Sequence, residues 1–142
     1  GPEIYSQLNG SVAGFACGIG TGGTISGIAK FLKEKNSNVV IAGCEPKDSA
    51  LLTGGKAGSH KIQGIGANFI PDNFKNEYVD DIVTVKGEES IKMSNEILEL
   101  ENINVGYSSG ANLLAAINYV KKHKLKNVRI VVIFPDDGGR YR

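Results

Sequence analysis

The sequence predicts a three-layer α/β fold, in which helices cover both faces of a mostly parallel, twisted β-sheet. Two observations lead to this prediction. Short apolar runs alternate along the chain with segments of helical spacing, which is the order expected of strand and helix units joined by right-handed crossovers. The runs are also continuously apolar, as is typical of parallel strands that are buried on both faces.

The predicted elements follow one another without an internal repeat. The strands are predicted at residues 12–17, 39–44, 82–85 and 128–134, and the helices at residues 24–35, 88–101 and 106–120. Asn38 breaks the first helical pattern, and Pro135 ends the last strand. Residues 45–73 are rich in Gly, Pro, Ser and Lys and lack a sustained period, so they are predicted to form a binding loop. The whole chain, residues 1–142, is interpreted as part of one α/β domain.

Composition excludes several classes of function. The net charge is +1, with 16 basic and 15 acidic residues mixed along the chain, so no basic surface for nucleic acid or an anionic membrane is expected. No apolar run approaches the roughly 20 residues that cross a bilayer. Cys17 and Cys44 lie in predicted buried strands, where we expect inert packing residues in a reducing cytoplasm rather than a disulfide or a nucleophile.

A glycine-rich loop is the strongest local motif. Residues 18–23 satisfy G-x-G-x-x-G between a predicted strand and a predicted helix, and Glu45 follows 22 residues after Gly23. This pattern fits a dinucleotide site, a site for a single phosphate, or a purely structural turn. Hydroxyl groups at Thr21 and Thr24 favour a compact phosphate monoester, but the loop alone leaves all three possibilities open.

Further motifs, in order, extend the comparison to nearly the whole chain. They are Gly1-Pro2-Glu3-Ile4, Gly20-Thr21-Gly22-Gly23-Thr24, Gly43-Cys44-Glu45-Pro46, Gly54-Gly55-Lys56, residues 60–67, residues 106–111, Phe134-Pro135 and Gly139-Arg140-Tyr141. Together they resemble the fold-type II pyridoxal-phosphate (PLP) enzymes of the cysteine synthase (O-acetylserine sulfhydrylase) and cystathionine β-synthase family. The resemblance implies that this chain is a portion of the large domain of such an enzyme.

The resemblance implies which residues form the site. Those expected to hold PLP are Gly20, Thr21, Gly22, Gly23, Thr24 and Ser108, the last at the pyridine nitrogen. Those expected in the substrate loop are Gln63, Gly64, Ile65, Gly66 and Ala67. No catalytic residue is expected here, because the family's Schiff-base lysine and its substrate-carboxylate loop belong to an N-terminal half that this chain lacks. No metal site is expected.

The implied activity is β-replacement, in which the full-length enzyme makes L-cysteine from O-acetylserine and sulfide. We expect the present chain to be inactive alone and to require its missing N-terminal half. The stretch Asp136-Asp137-Gly138-Gly139 departs from the usual Ser-Phe-Gly-Glu ending, which favours related cystathionine or lanthionine synthases that use another thiol. A non-catalytic PLP-like module remains a third hypothesis. A cytoplasmic homodimer and binding of the C-terminal tail of serine acetyltransferase are further expectations from the family.

Several residues also have simpler interpretations. Ser108 could only cap a helix, since serine is a preferred N-cap residue and Ser109 is a second candidate. His60 has no second histidine or thiol at ligand spacing, which argues against metal binding. His123 is predicted at a solvated helix end, where cations interact favourably with the helix dipole.

Overall fold

The computed structural model describes residues 1–20, 22–62, 65–66 and 76–140. In chain order, its helices and strands are α1 (Pro2–Gln7), β1 (Gly14–Gly18), α2 (Gly23–Lys35), β2 (Val40–Pro46), β3 (Asp81–Val85), α3 (Gly87–Glu101), α4 (Tyr107–Lys122) and β4 (Ile130–Val132). The predicted α/β class is confirmed. Helix α1 was not predicted; it is only six residues long and begins at a proline, whose fixed φ suits a first helical turn.

The strands form one parallel sheet in the order β3-β2-β1-β4. Gly14 pairs with Val40 on one side and with Ile130 on the other, so β1 lies in the interior of the sheet. Every residue of β1 is buried. This burial explains why its sequence is continuously apolar rather than alternating.

Helices cover the sheet on both faces, as the three-layer prediction requires. Phe15 of β1 belongs to the same apolar cluster as Leu32 of α2. The next residue of the strand, Ala16, belongs to a second cluster with Ala116 of α4. Because successive side chains of a strand point to opposite faces, α2 and α4 cover opposite sides of β1. None of the described helices is long and apolar enough to span a membrane.

Small residues bring α3 and α4 close together. A Cβ on Gly110 would overlap with the carbonyl oxygen of Ser90 and lie 2.9 Å from the amide nitrogen of Ser94. Both serines are fully buried. This close packing fixes the amino end of α4 at the edge of the sheet where the parallel strands end, which is where α/β proteins bind their ligands.

Strand β4 is shorter than predicted. It pairs with β1 over three residues and forms one edge of the sheet in the described part of the chain. The ends of the predicted run, Val128 and Phe134, are 38% and 39% exposed. The apolar run therefore extends beyond the residues that have a strand partner.

Candidate cofactor-binding site

The glycine loop connects the end of β1 to the amino end of α2. Gly22 is the N-cap residue of α2 and has φ +86°, in the left-handed region that favours glycine. No side chain of the described residues makes a capping hydrogen bond to the N-cap position of this helix. Gly22 is buried, whereas Gly23 and Thr24 are exposed and Gly20 is half-buried. A glycine-lined helix end suits a phosphate group. Thr21 lies outside the described residues.

Backbone hydrogen bonds hold the start of this loop in place. The amide of Ile19 donates to the carbonyl oxygen of Cys44 at 2.9 Å, and the carbonyl oxygen of Ile19 accepts from the amide of Gly66 at 3.0 Å. The loop is therefore tied to β2 and to the segment that resembles the substrate loop.

Asn112 of α4 holds the loop from the opposite side. Its Oδ1 accepts a hydrogen bond from the amide of Gly18 at 2.7 Å, and its Nδ2 donates to the carbonyl oxygen of Ile133 at 2.8 Å. The residue is only 1% exposed. Asn112 thus joins the carboxyl ends of β1 and β4. Sequence analysis missed it, although an asparagine one helical turn after Ser108, among apolar residues, was an available signal.

Ser108 lies in the first turn of α4 and is 4% exposed. The N-cap residue of α4 is Gly106, and no side chain caps the helix, so the capping role considered for Ser108 is absent from the structure. Its hydroxyl has no hydrogen-bond partner among the described residues. Ser108 precedes Asn112 by one turn on the same side of α4, and Asn112 contacts Gly18 at the carboxyl end of β1.

Ser109 has a different role. Its hydroxyl donates a hydrogen bond to Oδ1 of Asp136 at 2.7 Å. The carbonyl oxygen of Asp136 in turn accepts from the amide of Gly106 at 3.1 Å. Oδ1 of the neighbouring Asp137 accepts from the amide of Gly139 at 2.7 Å. The unusual acidic pair thus makes structural contacts beside the start of α4.

Of the expected substrate loop, the structure describes Ile65 and Gly66. Ile65 is 8% exposed and packs in an apolar cluster with Cys44 and Ala111. Gly66 has φ +65° and is half-buried. The other expected members, Gln63, Gly64 and Ala67, lie outside the described residues, as does Tyr141 of the terminal motif.

Glu45 argues against the dinucleotide interpretation of the glycine loop. In a dinucleotide site, the acidic residue at this position binds the ribose hydroxyls. Here Glu45 is 2% exposed, and its Oε1 accepts a hydrogen bond from the amide of Leu52 at 2.8 Å. A buried carboxylate engaged by its own loop does not fit a ribose site.

The two cysteines are free and buried, as expected. Burial raises the pKa of the Cys17 thiol to about 11. Burial, followed by the charges of Cys17 and Glu45, raises the pKa of Cys44 above its usual range. Since the thiolate is the reactive form, neither residue is suited to act as a nucleophile.

Comparison with known proteins identifies the family of the chain. Residues 1–136 match the family model described as pyridoxal-phosphate dependent enzyme. The chain is 47% identical over 139 residues to cysteine synthase B of Campylobacter jejuni, covering 98% of this chain and 46% of that protein. Cysteine synthase of Buchnera aphidicola is 42% identical over 149 residues, with 99% and 47% covered. The chain thus spans less than half the length of these relatives.

Solved structures extend the similarity to the fold. The crystal structure of cysteine synthase from Entamoeba histolytica superposes with a TM-score of 0.95 at 41% identity, covering 99% of this chain and 41% of that one. A hydrogen sulfide-producing enzyme of Fusobacterium nucleatum gives a TM-score of 0.94 at 40% identity, with 99% and 48% covered. From its sequence motifs, its sheet topology and these relatives, the chain belongs to the pyridoxal-phosphate dependent enzyme family and is a homologue of cysteine synthases.

Proposed function

We propose that this chain is the cofactor-holding C-terminal part of a cysteine synthase that makes L-cysteine from O-acetylserine and sulfide. One observation carries the proposal. Asn112 joins Gly18, at the start of the glycine loop, to the helix that carries the buried Ser108, which supports one site formed by the loop and the serine. That pairing suits a ligand with a phosphate at one end and a ring nitrogen at the other.

PLP has this form, and the described residues fit it. Backbone amides at Gly22, Gly23 and Thr24 would hold its phosphate, with Gly20 and Thr21 completing the loop. The hydroxyl of Ser108 would bond the ring nitrogen. When bound, PLP supplies the electron sink for breaking and forming bonds at the substrate's β-carbon.

Ser108 would also favour replacement over competing reactions. A neutral hydroxyl does not enforce a positive charge on the ring nitrogen as a carboxylate would. The cofactor then stabilises negative charge less strongly. Expulsion of the acetate group is therefore favoured over reactions that keep the negative charge on the cofactor. The role of this chain is to hold and tune the cofactor.

A second segment is needed to complete the enzyme. We expect the lysine that binds PLP covalently to come from an N-terminal half. The chain spans 46% of the length of its relative in Campylobacter jejuni. We propose that this half covers the half-buried edge strand β4, next to the exposed Phe134.

Reconstitution tests the proposal. The chain would be produced alone and as part of a complete protein with an N-terminal half. Cysteine formation from O-acetylserine and sulfide would then be measured with PLP present. We expect turnover only from the complete protein, and no specific lysine of the chain alone labelled by PLP and borohydride. Turnover by the chain alone, or none by a complete protein that has bound PLP, would contradict the proposal.

A second candidate is release of sulfide from cysteine, with or without addition of another thiol. The similarity to the Fusobacterium nucleatum enzyme described as hydrogen sulfide-producing favours it, at 40% identity. The two candidates differ in the preferred amino acid. Comparing kcat/KM of the complete protein for O-acetylserine with sulfide, and for cysteine alone or with a second thiol, separates them.

A further inference from the structure

A chain of hydrogen bonds runs from His60 to the glycine loop. Nε2 of His60 lies 3.0 Å from the carbonyl oxygen of Gly66. The amide of Gly66 donates to the carbonyl oxygen of Ile19 at 3.0 Å, and the amide of Ile19 donates to Cys44 of β2 at 2.9 Å. Gly66 is therefore held on both sides, by His60 and by the loop that starts the phosphate site.

The partners of the histidine ring define its protonation. Nδ1 accepts a hydrogen bond from the amide of Ile62 at 3.2 Å, so Nδ1 carries no proton. Nε2 must then carry the proton and donate it to the carbonyl oxygen of Gly66. Each ring nitrogen has one backbone partner, which fixes the orientation of the ring.

Steric contacts reinforce these bonds. A Cβ on Gly66 would lie 2.8 Å from Nε2 of His60 and 2.8 Å from Cγ of Pro46. Gly66 also has φ +65°, which side chains rarely adopt. Gly66 therefore lies between the imidazole ring of His60, the ring of Pro46 and the backbone of Ile19.

We propose that His60 is a positioning residue that holds Gly66 against Ile19, so that Gly66 and the start of the glycine loop keep one relative geometry. This inference rests on the proposed function of the site. His60 acts through Gly66 and does not itself touch the reacting atoms. The bond to Gly66, rather than the bond to Ile62, carries the effect.

Two substitutions separate the two bonds in the complete, PLP-loaded protein. The amide nitrogen of glutamine reaches the position of Nε2, so His60→Gln keeps the donor to Gly66. The carbonyl oxygen of asparagine resembles Nδ1, so His60→Asn keeps only the acceptor for Ile62. His60→Ala removes both. The other histidine of the chain, changed as His123→Gln, is the matched control.

We expect His60→Asn and His60→Ala to raise KM for O-acetylserine by about five-fold, the effect of losing one hydrogen bond, with a smaller change in kcat. Amide hydrogen exchange at Gly66 should accelerate in the same two variants, with or without turnover. His60→Gln and His123→Gln should resemble wild type in both measurements.

Unchanged exchange and KM in His60→Ala would overturn the proposal. So would a His60→Gln variant as impaired as His60→Ala while His60→Asn is normal, since the bond to Ile62 would then be the important one. The exchange measurement separates this inference from the proposed function. If wild type lacks the activity but His60→Ala still loses protection at Gly66, the positioning role stands and the assigned reaction fails.

Discussion

The hydroxyl of Ser109 donates a 2.7 Å hydrogen bond to the carboxylate of Asp136, whereas the hydroxyl of the adjacent Ser108 has no partner among the described residues. Both serines are buried in the first turn of α4. Ser109 therefore anchors the helix to the segment after β4, and Ser108 does not share that role. Substitutions of Ser108 and Ser109 can therefore be compared with each other.

Removing the hydroxyl of Ser109 should lower the stability of the fold. We expect Ser109→Ala to lower the free energy of unfolding by about 2 kcal/mol, because a buried hydrogen bond to a charged group is lost. Urea denaturation without cofactor measures this, with Ser6→Ala at an exposed position of α1 as the control. A Ser109→Ala variant as stable as the control would show that the bond to Asp136 contributes nothing.

Changing Ser108 should affect the chemistry of the bound cofactor. We expect Ser108→Asp to abolish β-replacement in the complete protein, because a carboxylate would hold a proton on the ring nitrogen and alter the fate of the intermediates. Absorbance spectra of bound PLP, recorded with O-acetylserine, should change. Ser109→Asp should have a less specific effect. Normal turnover and spectra in Ser108→Asp would rule out contact with the ring nitrogen.

Asn112 should contribute both to the stability of the fold and to the affinity for PLP. Asn112→Leu leaves the amide of Gly18 and the carbonyl oxygen of Ile133 buried without their partner, which should cost about 3 kcal/mol. PLP affinity of the complete protein should fall about ten-fold as the glycine loop loses its anchor. Asn118→Leu, a half-buried position on the same helix, is the control. Wild-type PLP affinity in a folded Asn112→Leu protein would contradict this role.

Gly22 should be required for its backbone conformation. Gly22→Ala places a Cβ on a residue with φ +86°, at a cost of about 1–2 kcal/mol, so PLP affinity should fall about ten-fold. Gly27→Ala is a matched control on α2, where a Cβ would meet nothing within 4 Å. It should leave affinity unchanged and stabilise the helix slightly. Equal affinities in the two variants, measured by fluorescence titration, would refute the requirement.

Asp81 should make stability depend on pH. Burial raises its pKa, but hydrogen bonds from Lys122 and His123 outweigh this effect and hold the pKa below its usual range. Such a carboxyl stabilises the fold above its unfolded-state pKa, and the stabilisation is lost as the pH falls through the folded-state pKa.

We therefore expect Asp81→Asn to cost on the order of 1 kcal/mol at pH 7 and almost nothing at about pH 2. Urea denaturation at both values measures the difference. Glu99→Gln, at an exposed position of α3, should show no such change with pH. A cost for Asp81→Asn that is the same at both pH values would mean that the ion pairs do not stabilise the protein.

The fold class and the position of the glycine loop could be predicted from the amino-acid sequence. Both depend on local features: continuous apolar runs define the buried strands, and the spacing of apolar residues in α2 defines a helix face. The two ends of β4 were misjudged for the same reason. Apolar composition is local, but whether Val128 or Phe134 has a strand partner depends on how far β1 extends beside it.

The assembly of the candidate site depends on tertiary contacts. Gly18 and Asn112 are 94 residues apart, and their hydrogen bond exists because α4 packs across the end of β1. The different contacts of Ser108 and Ser109 likewise depend on Asp136 lying beside Ser109. Such contacts follow from the order of the strands and the packing of the helices. A local sequence pattern cannot predict them, because each contact joins two segments that are distant in the sequence.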